Sequence, residues 1–237
     1  MKDKNDISYL NKFMRGFTGI FVYLMLNLAI VPILTLIGIN IVEVTREQGV
    51  FISLAVSFIV IVVLLLLSWK TLKKNWVDYK KNWKNLLSRN VKYWVCSLAI
   101  MFVANLAIAI IFNRLASAND ETIIGIFDVA PLYIVIEAVI LAPITEELVF
   151  RQSIRYIFKN KWVFIIISGL SFGFMHTLAS LKSLADFLYI IPYSVPGCFF
   201  AYMLYEEDNV LVPISFHMIH NTLAMLVLIE GKLSGII

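Results

Sequence analysis

Seven long apolar runs constrain this chain more than any other feature. They lie near Phe17 to Val42, Val50 to Trp69, Val91 to Phe112, Val129 to Phe150, Trp162 to Met175, Leu184 to Tyr205 and Val210 to Ile229. Most approach the roughly 20 residues that a helix needs to cross the hydrocarbon core of a bilayer. Of the 237 residues, 60% are hydrophobic and 15% charged, and the mean hydropathy of +0.85 is well above that of a water-soluble domain. The expected fold is therefore an all-α, polytopic transmembrane helical bundle of about seven spans. The fifth run is short unless it extends through His176 to about Ser180, and the fourth can continue helically to about Phe158.

Basic residues orient such a bundle. Lys2, Lys4, Lys12 and Arg15 precede the first run, and Lys70, Lys73, Lys74, Lys80, Lys81, Lys84, Arg89 and Lys92 join the second and third. Arg151, Arg155, Lys159 and Lys161 join the fourth and fifth, which leaves only Arg46, Arg114, Lys182 and Lys232 for the other side. By the positive-inside rule this bias predicts a multi-pass cell-membrane protein with a cytoplasmic N-terminus and an external C-terminus. The acidic stretch "YEEDN" at 205–209 is then a cytoplasmic turn without a basic residue.

The chain divides into a cytoplasmic segment (1–16), N-terminal spans (17–127) with a basic amphipathic loop at 70–92, core helices (128–230) and a tail (231–237). In the basic loop Trp76, Tyr79, Trp83, Leu86 and Leu87 recur at helical spacing among lysines. That pattern suits an interfacial helix on an anionic leaflet, with a solvated basic loop as the alternative. The net charge of +4 sits in these loops, so no nucleic-acid partner is expected. Cys96 and Cys198 fall in different spans, which argues against a disulfide or a zinc-thiolate site.

Against this apolar background the stretch "APITEELVFR", residues 142–151, places two adjacent carboxylates and an arginine at the end of the fourth run. Charged groups inside a span are costly and face the bundle interior or a water-filled cavity. Residues four apart share a helix face, so Glu147 and Arg151 can form an ion pair, while Glu146 points about 100° away and is left for chemistry. The alternative puts all three in the headgroups. The three histidines, His176, His217 and His220, also lie in apolar runs. Phe172 precedes His176 by one turn, and Gly169 with Gly173 form a small-xxx-small step that admits a neighbouring helix. His217 and Asn221 share a face of the last run, with His220 beside them. Taken singly, each reads first as a packed and hydrogen-bonded helix residue.

Depth unites them. If the fourth and fifth runs turn near Asn160 and Lys161, Glu146 and His176 each lie fifteen residues from Lys161, about 22 Å along a helix, and so are level. His217 and Asn221 reach a similar layer from the turn at 205–208. A carboxylate, two imidazoles and an amide then share a cavity.

These three stretches carry a resemblance. "EELVFR" resembles the E-E-x-x-x-R motif, "FGFMH" the F-x-x-x-H motif and "HMIHN" the H-x-x-x-N/D motif of the CAAX prenyl endopeptidase and bacteriocin-processing (CPBP, Abi) intramembrane proteases. The likeness covers roughly residues 128–230. It implies an endopeptidase acting on a membrane-embedded or lipid-anchored peptide, in CaaX-protein processing or, in the bacterial branch, bacteriocin immunity. It further implies that Glu146 and His176 activate water, His217 and Asn221 stabilise the oxyanion, and Glu147, Arg151 and Phe172 support them. The family is described with eight spans, against the seven counted here. No cofactor is expected. Two readings remain beside this one: a zinc protease with Glu146, His176 and His217 as ligands, and a catalytically silent scaffold or transporter.

Overall fold

A computed structural model describes residues 4–38, 40, 43–113, 117–178 and 183–235. Lys2, Arg114, Lys182 and Ser180, and the ends of the 1–16 segment and the 231–237 tail, lie outside them. Every regular element among the described residues is helical. In chain order these are α1 (Lys4–Leu36), α2 (Arg46–Phe112), α3 (Ala118–Val129), a composite helix α4 running from Pro131 to Ile157, α5 (Lys161–Leu178), the short α6 (Leu184–Leu188), α7 (Ile190–Glu207) and α8 (Leu211–Leu233). The chain is an all-α membrane bundle.

Five helices are long and apolar enough to cross a membrane among the described residues: Tyr9–Leu36, Arg46–Phe112, Lys161–Leu178, Leu184–Glu207 and Leu211–Leu233. The difference from seven has two causes. α2 contains both the second and the third apolar run, and α4, the fourth run, carries Glu137, Glu146, Glu147, Arg151 and Arg155.

α2 corrects the sequence reading. Residues 70–92 are not a loop between spans but part of one uninterrupted 67-residue helix, opened by a capping box between Thr45 and Gln48. The helix cannot be straight. Ser57 and Asn105 would stand about 72 Å apart on a straight helix, yet Ser57 hydrogen-bonds Glu137 and Asn105 lines the same cavity as Glu137. The return occurs near the α7–α8 turn, since Asn75 donates to Asp208 O and Asn90 donates to Glu207. The predicted interfacial residues are divided there. Tyr79, Leu86 and Leu87 pack against Phe200, Met203, Val212 and Phe216, whereas Trp76 and Trp83 remain exposed.

The same contacts account for the acidic turn. Glu206 pairs with Lys161 at 2.5 Å, Glu207 with Arg89 at 2.7 Å and Asp208 with Lys74 at 3.0 Å. The carboxylates of 206–208 thus sit among cations from 70–92 and from the α4–α5 turn, which places the bend of α2 and both turns at one end of the bundle. Asn160 closes that α4–α5 turn by accepting from the backbone N–H of Trp162 and Val163.

The core joins five helices: Val60 and Leu64 of α2, Leu148, Val149, Phe150 and Ile154 of α4, Phe164 and Phe172 of α5, Ala201 and Leu204 of α7, and Ile214 of α8. α5 and α7 approach closely enough to exclude side chains. A Cβ on Gly173 would lie 2.5 Å from Ile190 O, and one on Gly197 would lie 2.9 Å from the Cα of Gly169. The Gly169 and Gly173 step read from the sequence is this contact. α1 uses the same device on α4, with Gly16 and Gly19 against Ser153.

Candidate active site

α4 is the element that presents the charged motif, and it is not a simple α-helix. Glu137–Leu141 and Glu147–Ser153 are π-helical, separated by the α-helical turn Ala142–Glu146. Pro143 gives the first widening a cause: its ring has no N–H and crowds the carbonyl one turn back, which interrupts the i to i−4 ladder. In the second, hydroxyls take backbone carbonyls, since Ser153 Oγ donates to Leu148 O at 2.9 Å and Ser168 Oγ to Phe150 O at 2.6 Å. Glu146 occupies the junction between the two widened segments.

The two adjacent carboxylates have separate surroundings. Glu147 and Arg151 are both 0% exposed, with Arg151 Nε 3.0 Å from Glu147 Oε2. The guanidinium lies 4.3 Å from the ring of Phe172 and 5.7 Å from that of Phe200, so two aromatic faces enclose a cation whose counter-ion is one helical turn away. Glu147 has a second partner that sequence spacing did not indicate: its Oε1 accepts from Nδ1 of His217 at 2.8 Å. Spacing along one helix is silent about a bond to another.

Glu146 instead faces a cavity of about 370 Å³. Its Oε1 is 3.8 Å from Nε2 of His176 and its Oε2 is 3.6 Å from Nε2 of His217. Both separations exceed a direct hydrogen bond. Each imidazole is held by its other nitrogen, His176 Nδ1 by Phe172 O at 2.9 Å and His217 Nδ1 by Glu147, so both direct Nε2 toward Glu146. Phe172 also lies against His176, 4.2 Å between centroids with the rings tilted by 40°, and meets His217 edge-on at 5.7 Å. Asn221 lines the cavity and donates from Nδ2 to Ala138 O at 2.7 Å, within the first π-helical segment. The structure therefore brings Glu146, His176, His217, Asn221 and Phe172 from α4, α5 and α8 to one cavity, with Glu147 and Arg151 buried behind it. No group of three His, Cys, Asp or Glu side chains among the described residues is placed to hold a metal ion.

Four lining residues were not singled out as functional by the sequence. His220 enters the cavity with a buried Nδ1 that has no hydrogen-bond partner among the described residues. Glu137 lines it from the first π-helical segment. Tyr193 stacks on His176 at 5.0 Å, and its hydroxyl is 2.6 Å from Ser117 Oγ and donates to Asp120 at 3.2 Å. Glu137 and His220 had a signal available, being ionisable residues inside apolar runs. Asp120 and Tyr193 come from separate elements whose meeting no local pattern encodes.

Residues 128–223 match the family model described as "Type II CAAX prenyl endopeptidase Rce1-like". Over 117 residues the chain is 28% identical to the Bacillus subtilis (strain 168) protein named "Putative membrane peptidase YdiL", covering 48% of this chain and 44% of that one. Over 143 residues it is 29% identical to an uncharacterized protein of Mycoplasma capricolum subsp. capricolum, covering 55% of this chain and 41% of the relative. The match thus spans less than half the length of either relative. No solved structure matches the chain. The matched segment contains all three motifs and Glu146, Phe172, His176, His217 and Asn221, which meet at the cavity, and over this segment the chain is similar to that family.

Proposed function

We propose that the chain is an intramembrane endopeptidase that hydrolyses a peptide bond of a membrane-associated peptide or protein with water activated at Glu146. The observation that carries this reading is the meeting of one carboxylate and two Nε2 atoms, from three helices, at one cavity. Glu146 takes a proton from water, and the resulting hydroxide attacks the carbonyl carbon. His176, fixed by Phe172 O and packed against the Phe172 ring, keeps its Nε2 toward the same water. The tetrahedral oxyanion accepts hydrogen bonds from the amide hydrogen of Asn221 that is not engaged with Ala138 and from His217 Nε2, which donates while Nδ1 is bonded to Glu147 only when the ring carries both protons. When the C–N bond breaks, Glu146 returns its proton to the departing amine. Glu147 and Arg151 hold His217 and the helix in place.

The substrate is a peptide lying in or near the bilayer, and bacteriocin immunity or peptide processing is the setting that the family resemblance suggests. The bend of α2 and the two turns gathered at one end form the cytoplasmic face, and the lysines of 70–92, with exposed Trp76 and Trp83, contact anionic lipid there.

A zinc-dependent variant of the reaction finds support in one feature: His176 and His217 each have Nδ1 engaged by a carbonyl or carboxylate, as metal-ligating histidines do. The site as placed does not form a metal-binding group, and no step above uses one. A scaffold function needs no cavity chemistry at all.

One comparison tests the proposal. Membranes from cells carrying the wild-type chain and from cells carrying Glu146→Gln are analysed by proteomics, and one uncut membrane peptide accumulates in the variant. Identical peptide profiles reject the hydrolase. Metal analysis of the purified protein, with and without chelator, separates the water mechanism from zinc chemistry. One tightly bound zinc whose removal stops cleavage overturns the water mechanism.

A further inference from the structure

Glu146 borders two cavities, and only the larger takes part in the mechanism above. The second, of about 90 Å³, lies between α1, α2 and α4, and its polar lining is Tyr23, Asn27, Ser57, Glu137, Thr145 and Glu146. Glu137, Ala142 and Glu146 line both cavities, so the stretch of α4 from the first π-helical segment to Glu146 is the partition between them.

Two observations point to the ligand of the smaller space. The first is size and polarity: a water needs about 10–15 Å³ of probe-occupied volume and two to four polar partners, and this cavity offers room for several waters among hydroxyl, amide and carboxylate groups. The second is an unanswered acceptor. Glu137 Oε1 accepts from Ser57 Oγ at 2.9 Å, but its Oε2 is buried with no hydrogen-bond partner among the described residues. A buried carboxylate oxygen without a donor is costly, and bound water removes that cost. A peptide segment filling the larger cavity, whose walls include Met101, Ile134, Phe172 and Phe200, displaces water from that side of Glu146. Hydrolysis nevertheless consumes one water for each bond cut.

We infer that the second cavity is a water chamber that supplies Glu146 from the face opposite the substrate. This rests on the hydrolytic reading of Glu146. Water enters past Asn27 and Ser57, is held against Glu137, and reaches the Glu146 carboxylate while the peptide occupies the other side. The first π-helical segment serves this arrangement by presenting Glu137 and Glu146 to both spaces from one helix.

The test uses the full chain in lipid nanodiscs. Millisecond hydroxyl-radical footprinting reports water held against a side chain, and the half-buried Tyr23 is the probe. Wild-type protein is expected to show fast oxidation of Tyr23. Ser57→Leu and Asn27→Leu each fill the chamber and are expected to slow that oxidation several-fold. On a cleavable membrane peptide they lower kcat about tenfold or more with KM unchanged, because the substrate side is untouched. Asn27 is exposed, so Asn27→Leu keeps the test valid if Ser57→Leu fails to fold. A Tyr23 as inert as a lipid-facing tyrosine in the wild type overturns the chamber. Full kcat in a folded variant whose Tyr23 oxidation has dropped overturns the supply role. Cleavage that survives Glu146→Gln removes the hydrolytic reading itself, and the footprint then reports the chamber independently of that failure.

Discussion

Nδ1 of His217 donates a 2.8 Å hydrogen bond to Oε1 of Glu147, joining residues 70 positions apart through two buried side chains. The bond fixes which imidazole nitrogen faces Glu146. It also gives Glu147 two partners, Arg151 on its own helix and His217 on α8.

Glu147→Gln is therefore expected to lower stability and turnover together. The change leaves the Arg151 cation buried without a counter-ion, a loss on the order of 3 to 5 kcal/mol. It also frees the His217 tautomer. Detergent melting reads the first effect, and nitrogen-15 NMR of the labelled histidine reads the second. A single His217 tautomer, unchanged in the variant, would show that Glu147 does not orient the ring.

Glu146 and Arg151 should separate cleanly. Arg151 is fully buried between Phe172 and Phe200, so Arg151→Ala should reduce folded protein and melting temperature as well as activity. Glu146→Gln keeps the shape of a side chain that faces a cavity, and should abolish cleavage with melting almost unchanged. Equal destabilisation by the two would contradict this division.

Asn221 and His220 line the same cavity from α8, but only Asn221 is assigned to the oxyanion. Asn221→Ala should slow turnover about 100-fold or more with little change in substrate binding, because the lost hydrogen bond strengthens as charge develops. His220→Ala should be mild. Steady-state kinetics on one peptide decide the matter, and a larger loss for His220→Ala would move the oxyanion assignment to that residue.

Gly173→Ala tests the α5–α7 contact. The added Cβ would meet the backbone carbonyl of Ile190 and the Ser194 side chain, so the helices must part. A loss of about 1 to 3 kcal/mol is expected, read as a lower detergent melting temperature. Gly125→Ala, where a Cβ has open space, should leave melting unchanged.

The orientation of the bundle can be checked at residue 81. With the basic turns on the cytoplasmic face, a membrane-impermeant thiol reagent should label Lys81→Cys in inverted vesicles and not in intact cells, with Cys96 and Cys198 replaced beforehand. Labelling in intact cells would invert the model.

Much of this protein was legible in its sequence, for reasons that are local. Apolar runs of bilayer length require helices because lipid offers no partner for backbone groups. The four-residue spacing pairs Glu147 with Arg151, and the equal separation in sequence of Glu146 and His176 from the α4–α5 turn leads to the expectation that they meet. Tertiary contacts decided the rest. Whether 70–92 would be a loop or a bent continuation of α2 depended on Asn75, Arg89 and Asn90 finding 207–208 of the α7–α8 turn, more than 110 residues away. The second π-helical segment, after Glu146, meets the Ser168 hydroxyl of α5 and the close glycines of α1, contacts that a 3.6-residue period cannot register. The bond from His217 to Glu147, and the contact of Asp120 with Tyr193 behind His176, are properties of helix packing. A sequence specifies the faces of its helices, and only their assembly determines which polar atoms meet.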